Sequence, residues 1–274
     1  MSAASRWDWS RVDVAVPGRV PMPGIQMAGF RYHGDAAVEI TMIPHPSITL
    51  LLDLSEHGVG YDVLERRVVG NVIIGLHAGP LRITSTGFGD VLQIRMSPVV
   101  AAAILHDTGI IGGTVTPLPD LWGNETAILT ERLRATPSWH ERFAIVAAFL
   151  RSRVRRGFGV APEITYAWDR TVRSRGRIRV ETLAAETGWT RQRLWSRFRT
   201  CIGVSPKHAS DLVRFDHAAH LLVAGCSPAD AAVEAGYVDQ SHFHRRTKAI
   251  TDMTPAVVAK APWLAIDEVA WPTT

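Results

Sequence analysis

Cysteine is almost missing from this chain of 274 residues: Cys201 and Cys226 are the only two, too few for a disulfide framework. Neither belongs to a Cys-x-x-Cys pair or to a Cys/His metal spacing, which excludes a zinc finger or a dithiol redox motif and makes a reducing cytosol the expected compartment. An apolar run of about 18 residues is lacking too, and the N-terminal sequence MSAASRWDWS places charges and tryptophans where a secretory signal needs its apolar core. A soluble, cytoplasmic protein is the expectation. Catalytic signatures are also missing: there is no Gly-x-Ser-x-Gly, no Walker loop, no Gly-x-Gly-x-x-Gly and no Ser-His-Asp pattern. No catalytic residue and no cofactor is expected, so the chain is not read as an enzyme.

The second half has few acidic residues. Residues 1–150 hold 11 Lys and Arg against 14 Asp and Glu, a balance of −3, whereas residues 151–274 hold 19 against 12, a balance of +7. The formal charge of +4 therefore hides an acidic half joined to a basic one, as a separate polyanion-binding domain would produce. The length exceeds the usual single-domain size, and an apolar fraction of 46% suffices for a core in each of two domains.

What is there divides the same way. Over residues 21–105, Gly and Pro punctuate short Val/Ile/Leu/Thr runs at 38–43, 48–54, 68–76 and 91–96. With turns at Glu56-His57-Gly58 and Ala78-Gly79-Pro80, these runs predict an antiparallel sandwich or small barrel with room for a small ligand. Helical spacing begins near residue 121, with Ile128, Leu129 and Leu133, then Phe143, Val146, Ala147, Leu150 and Val154, broken at Thr136-Pro137-Ser138. The arginine- and glycine-containing stretch 151–159 is read as a hinge, residues 161–262 as helices with short turns, and residues 263–274 as a loose tail.

Two helix-turn-helix units stand out in the basic half. In the first, a helix from Val180 packs Leu183 and Ala184 inward, Gly188-Trp189-Thr190 makes the turn, and the second helix packs Leu194 and Phe198. Gly188 can take the positive φ that ends one helix, and Thr190 can cap the next. The free face carries Arg191, Gln192, Arg193, Trp195, Ser196 and Arg199, groups that suit base edges and phosphates in a major groove. The second unit repeats the plan: Ser227-Pro228 opens a helix packing Ala231, Ala232 and Val233, Gly236-Tyr237-Val238 turns, and a helix from Asp239 exposes Gln240, Ser241, His242, His244, Arg245 and Lys248. Between them, residues 206–223 place Leu212, Phe215, Ala219 and Leu222 at helical spacing. A rigid helix there would set two readers about one DNA turn apart. Any helical bundle has glycine turns and arginine-rich faces, but a tandem pair confined to the basic half is harder to explain by packing alone.

These residues resemble the AraC/XylS transcription regulators. Leu183-Ala184, Gly188, Thr190, Leu194, Phe198-Arg199, Gly203 and Ser205-Pro206 match the family's first motif, and Ala232, Gly236, Tyr237, Ser241, Phe243, Arg245, Thr254 and Pro255 match its second. The resemblance covers roughly residues 162–262. Thr247 stands where the family usually has a packed aromatic, and Asp252 where a glycine commonly precedes the Thr-Pro. The resemblance implies base reading by Gln192, Trp195 and Ser196, and by Gln240, Ser241, His242, His244 and Arg245, with phosphate contacts from Thr190, Arg191 and Arg246. It further implies an α+β protein whose N-terminal half (1–157) is a cupin-like sensor or dimerisation domain with a helical C-terminal part. Residues 158–262 would form the DNA-binding domain, and the partners would be double-stranded DNA, a second copy of the chain and a small-molecule effector whose contacts are not assigned.

Other readings stay open at this point. A ligand-independent regulator fits the same residues. A metal-dependent cupin enzyme fused to a DNA-binding domain would use His33, His45, His57 and His77, but their spacing lacks a His-x-His pair with a following carboxylate, so no metal is expected. A repair protein with a methyl-accepting zinc-cysteine domain would need more cysteines than two. A purely architectural DNA binder would have no use for an acidic, β-rich first half.

Overall fold

The computed structural model describes residues 11–19, 22–33, 38–55, 59–63, 66–76, 81–85, 89–113, 115–154, 160–261, 264 and 266–271. The turns read at 56–58 and 78–80, the histidines His57 and His77, most of the 151–159 hinge and the N-terminal ten residues lie outside that set.

The protein is α+β. Its strands are β1 (Val12–Ala15), β2 (Ile25–Tyr32), β3 (Val38–Met42), β4 (Ile48–Asp53), β5 (Val59–Val63), β6 (Arg66–Val69), β7 (Val72–Ile74), β8 (Leu81–Ser85), β9 (Asp90–Met96) and β10 (Val115–Pro117). They form a six-stranded sheet in the order β1-β2-β9-β4-β7-β10 and a four-stranded sheet in the order β3-β8-β5-β6, with every pairing antiparallel. Leu51, Val72 and Val91 of the first sheet share a buried cluster with Tyr61, Leu81 and Ile83 of the second, so the sheets face each other across one core. The run 68–76, read as one strand, is two: Gly70 takes φ +87° between β6 and β7, a conformation that breaks the pleat at little cost to glycine.

Helices follow the sheets. The segment 98–105, read as part of the β region, is the helix α1 (Pro98–Leu105): Ser97 Oγ caps the Val100 amide and Pro98 stands in the opening turn. After α2 (Thr108–Ile111) and α3 (Leu118–Trp122) come α4 (Asn124–Arg134) and α5 (Trp139–Arg153), broken at the expected place, with Ser138 capping α5. Ile128 and Val154, which matched the helical spacing, point outward instead. Helix α5 is fastened to the sheet by Asp90 of β9, which pairs with Arg142 and with Arg31 Nε at 2.7 Å. Burial would raise the Asp90 carboxyl, but the hydrogen bonds from Arg31 and Arg142 outweigh it and hold it below its ordinary value.

The basic half is helical: α6 (Pro162–Arg173), α7 (Val180–Glu186), α8 (Arg191–Ile202), α9 (Pro206–Val223), α10 (Pro228–Glu234), α11 (Gln240–Thr251) and α12 (Pro255–Val258). The two halves are not separate cores. Ile25, Leu50 and Ile94 of the sheet belong to one buried cluster with Ile104 of α1, Trp168 of α6, Leu194 and Phe198 of α8, and Leu212 of α9. The second unit has its own cluster, built from Phe215, Leu222, Ala232, Tyr237, Phe243 and Val258. Residues 266–271, part of the segment expected to be loose, fold back onto the β domain. Their helix α13 (Asp267–Ala270) and Trp271 pack with Ala28 of β2, because Trp271 lies against the Arg95 guanidinium, 4.3 Å from ring centroid to Cζ.

Candidate nucleic-acid interface

Each helix-turn-helix unit is fixed by local chemistry. Gly188 has φ +69° at the end of α7, and Thr190 Oγ1 accepts from the Arg193 amide to start α8. Gly203 closes α8 in the left-handed region, and Ser205 Oγ caps α9. In the second unit Ser227 Oγ accepts from the Asp230 amide, Gly236 has φ +74°, and Asp239 Oδ1 accepts from the His242 amide to open α11. Asp252, where the family pattern has glycine, sits at φ +57° with its amide donating to the Lys248 carbonyl at 2.8 Å. A left-handed cap explains why glycine is common there, and aspartate is among the few other residues that tolerate it.

Leu194 and Phe198 of α8 are fully buried, which turns the opposite face outward. On it Thr190, Arg191, Gln192, Arg193, Trp195, Ser196 and Arg199 are all exposed, and Trp195 keeps 45% of its surface in solvent. The planar groups are paired: Arg193 lies over Trp189 at 4.7 Å and Arg199 over Trp195 at 5.3 Å, while Arg191 Nη1 meets Glu181 Oε1 at 3.2 Å. Arg197, which sequence reasoning passed over, is exposed on the same helix.

Helix α11 buries Phe243 and Thr247 and exposes Gln240, Ser241, His244, Arg245 and Lys248. His242, which the family resemblance makes a base reader, is half-buried and edge-on to Tyr237, with ring centroids 5.5 Å apart. Arg246, assigned to phosphate, is paired with Asp211 of α9. Val233, expected to pack α10, is 78% exposed, and Ala231, Ala232 and Ala235 do the packing; Val238 in the turn is 86% exposed. Neither α8 nor α11 contains an acidic residue.

A second concave feature lies in the β domain: a cavity of about 110 Å³ between the sheets, lined by Ile40, Met42, Leu51, Val59, Ile83 and other apolar side chains. Its mouth is polar. There Arg95 Nη2 donates to Asp267 Oδ1 at 3.0 Å, His45 Nε2 lies 3.0 Å from Arg95 Nη1 and 3.2 Å from Asp216 Oδ1 of α9, and His220 Nε2 meets Asp267 Oδ2 at 3.2 Å. His220 Nδ1 points to the Asp216 carbonyl at 2.8 Å. The hydrogen bond to Asp267, helped by the Asp216 charge and opposed by burial, raises His220 to about 9. Asp267 is held far below its ordinary value: burial opposes this, but hydrogen bonds from His220 and His45 and the Arg95 charge prevail. His45, Asp216 and His220 bring ligand-type atoms within 4.8 Å of one another. With a guanidinium facing His45 Nε2 and both His220 nitrogens engaged, this donor set fits an ion-pair network better than a cation site. Of the other histidines considered as ligands, His33 is exposed and pairs with Asp13 at 2.6 Å.

No helix among the described residues is long and apolar enough to cross a membrane. Residues 183–261 match the family described as a helix-turn-helix domain. An uncharacterized HTH-type transcriptional regulator, YbfI of Bacillus subtilis (strain 168), is 33% identical over 66 residues, a match that spans 24% of this chain and only 24% of that relative's length. The backbone is similar to ToxT from Vibrio cholerae O395 (12% identity, TM-score 0.49, 92% of this chain and 100% of that one). It is also similar to the C-terminal domain of AraT, a response regulator from Geobacillus stearothermophilus (20% identity, TM-score 0.35, 37% of this chain and 86% of that one). Residues 183–261 of the chain are thus similar to a helix-turn-helix domain, and the match to the curated relative spans about a quarter of that relative's length.

Proposed function

We propose that the protein is a sequence-specific transcription regulator that binds double-stranded DNA through α8 and α11 and responds to a small molecule held in its β domain. The observation that carries this reading is the pair of capped recognition helices, each with a buried phenylalanine on its inner face and an outward face free of acidic residues. Such faces offer guanidinium, amide and hydroxyl donors to base edges, while helix α9, roughly 27 Å long at 1.5 Å per residue, sets their spacing. Gln192, Trp195, Ser196, Gln240, Ser241, His244 and Arg245 are the proposed base readers; Thr190, Arg191, Arg193 and Arg199 are the proposed phosphate contacts.

The test is selection of the purified chain against a random duplex pool at two salt concentrations, with sequencing of the retained duplexes. Enrichment of one motif with two half-elements about ten base pairs apart is the expected result. Weak, steeply salt-dependent retention without a motif would reduce the protein to a nonspecific polyanion binder. Pairing of two copies through the β domain and the α4–α5 region belongs to the same proposal, and sedimentation at micromolar concentration tests it.

A further inference from the structure

The β-domain cavity is lined on one side by residues that follow the helix-turn-helix units. Leu264, Ile266, Asp267 and Trp271 line it together with strand residues, although they follow the second helix-turn-helix unit by sequence. Inside, two polar side chains have been buried without a partner. Tyr61, on β5, is fully buried and its hydroxyl has no hydrogen bond; Gln93, on β9, is 7% exposed and its side-chain NH2 has none. Arg95 Nε, at the mouth, is likewise buried and unpartnered. Burial, with the charge of Asp53, pushes the Tyr61 hydroxyl far up, so it remains a proton donor. Asp53 itself does not satisfy it, being engaged by the Ser55 and Val59 amides at 2.9 and 2.6 Å.

Buried donors without acceptors are rare in folded proteins, and leaving one unmade is costly. Here three such donors belong to residues that line one apolar hollow, and the charges at its mouth are already matched to one another. An anion would have to compete with Asp267 for Arg95, and a cation would meet that guanidinium. The volume is on the scale at which an apolar cavity holds roughly one aromatic ring.

We propose that this cavity binds a neutral, single-ring-sized apolar molecule carrying one hydrogen-bond-accepting oxygen, seated between the two sheets and the C-terminal residues Leu264, Ile266, Asp267 and Trp271. The proposal deepens the small-molecule reading above, since it names the class of ligand and makes the tail part of its wall. Because Asp267 in that wall bonds His220 of α9, occupancy is felt at the helix that joins the two DNA-reading units.

The experiment is calorimetric titration of the full-length protein with acetophenone, ethylbenzene, benzoate and benzylamine, which share a ring and differ in the polar group. Acetophenone is expected to bind at one site at least tenfold more tightly than ethylbenzene, about the value of one satisfied buried donor. Benzoate and benzylamine should bind more weakly than acetophenone. Tyr61→Phe removes a single oxygen and Gln93→Leu a single amide; each should narrow the acetophenone preference while leaving ethylbenzene binding within twofold. Trp271→Ala should weaken both probes by about tenfold. Equal affinity for acetophenone and ethylbenzene, a preference for either ion, an unchanged preference in Tyr61→Phe, or no binding at all would overturn the proposal. Running the duplex selection with and without acetophenone separates the two readings: binding that leaves DNA affinity unaltered keeps the site and its ligand class but removes the effector role.

Discussion

The two helix-turn-helix units are built to one plan and held in two different ways. The first is part of the largest core: Leu194, Phe198 and Ile202 of α8 share a cluster with α1 and with strands β2, β4 and β9. Its closing turn also lies flat against the β domain, where a Cβ on Gly112 would come within 2.4 Å of the Gly203 carbonyl oxygen. The second unit packs on α9 and α12, and among the described residues its cluster takes only Ile43 from the β domain. Polar contacts from His45 and Asp267 to α9 complete the attachment. A unit fused into a core moves with it, whereas one held by a helix and an ion-pair network can be released. An effector in the β-domain cavity is therefore better placed to shift the second unit against the first than to swing both about residues 151–159.

Equal truncations on the two sides break or keep this contrast. Phe198 and Phe243 are both fully buried, and Phe→Ala at such sites costs about 3–5 kcal/mol. In Phe198→Ala the loss should lower the unfolding of the whole chain, because the cluster it leaves spans both halves. In Phe243→Ala the second unit should melt first, with the β-domain signal retained to higher temperature. Thermal unfolding followed at once by far-ultraviolet dichroism and by amide exchange of β4 and β9 distinguishes them. A single transition in both variants would dissolve the distinction.

The next effect is on recognition. Gln240→Ala or Arg245→Ala should each cost about 1–3 kcal/mol on the selected site and relax one base position. Arg246→Ala should behave differently from its neighbour, since the Asp211 partner anchors α11 to α9. Its loss should weaken cognate and noncognate duplexes alike and lower stability by about 1 kcal/mol, an effect that Asp211→Asn reproduces and the double variant does not add to. Additive losses would return Arg246 to the phosphate-contact role.

Much of the helix-turn-helix half is legible in the sequence because its signals are local. Caps and left-handed turns at Gly188, Thr190, Ser227 and Gly236 are decided within four residues, and the inward stripe of Leu194 and Phe198 follows from the helical period. What failed depended on partners distant in sequence. Val233 fits the apolar spacing of α10, yet Ala231, Ala232 and Ala235 fill the contact and leave it outside. Helix α1 carries a readable start at Ser97-Pro98, but its apolar run is continuous in composition with the strands before it. The tail reads as loose because the β-domain partners of Trp271, Arg95 and Ala28, lie more than a hundred residues away. The same distance hides the pairing of Arg246 with Asp211 and the polar network at the cavity mouth.

That network gives the second unit a dependence on pH that the first should lack. The folded chain holds His220 at about 9 against an ordinary value of 6.5. Its stabilising contribution is thus complete below about pH 6.5 and is lost as pH rises through about 9. Asp267 is shifted the other way, so its contribution is present above the ordinary carboxylate range and lost on acidification below it. Between pH 6 and 10 the melting of the second unit should fall by a few degrees while the first holds. His220→Gln, facing the same His45, Asp216, Asp267 and Arg95, should flatten the slope; a slope unchanged in that variant would assign it to another group.

The smallest effect concerns how the units divide electrostatics. Helix α8 carries Arg191, Arg193, Arg197 and Arg199, whereas α11 has Arg245 and Lys248 besides the paired Arg246. Screening and counterion release should therefore act mainly through the first unit. Arg191 and its partner Glu181 are both more than half exposed, so Arg191→Ala should change folding stability by no more than about 0.5 kcal/mol. Its mark should instead be on the salt dependence of DNA binding, with the slope of log K against log salt falling by about 1 and the selected motif unaltered. Lys248→Ala in the second unit serves as the counterpart, and an equal fall there would mean that both units carry the phosphate contacts and differ only in how they are held.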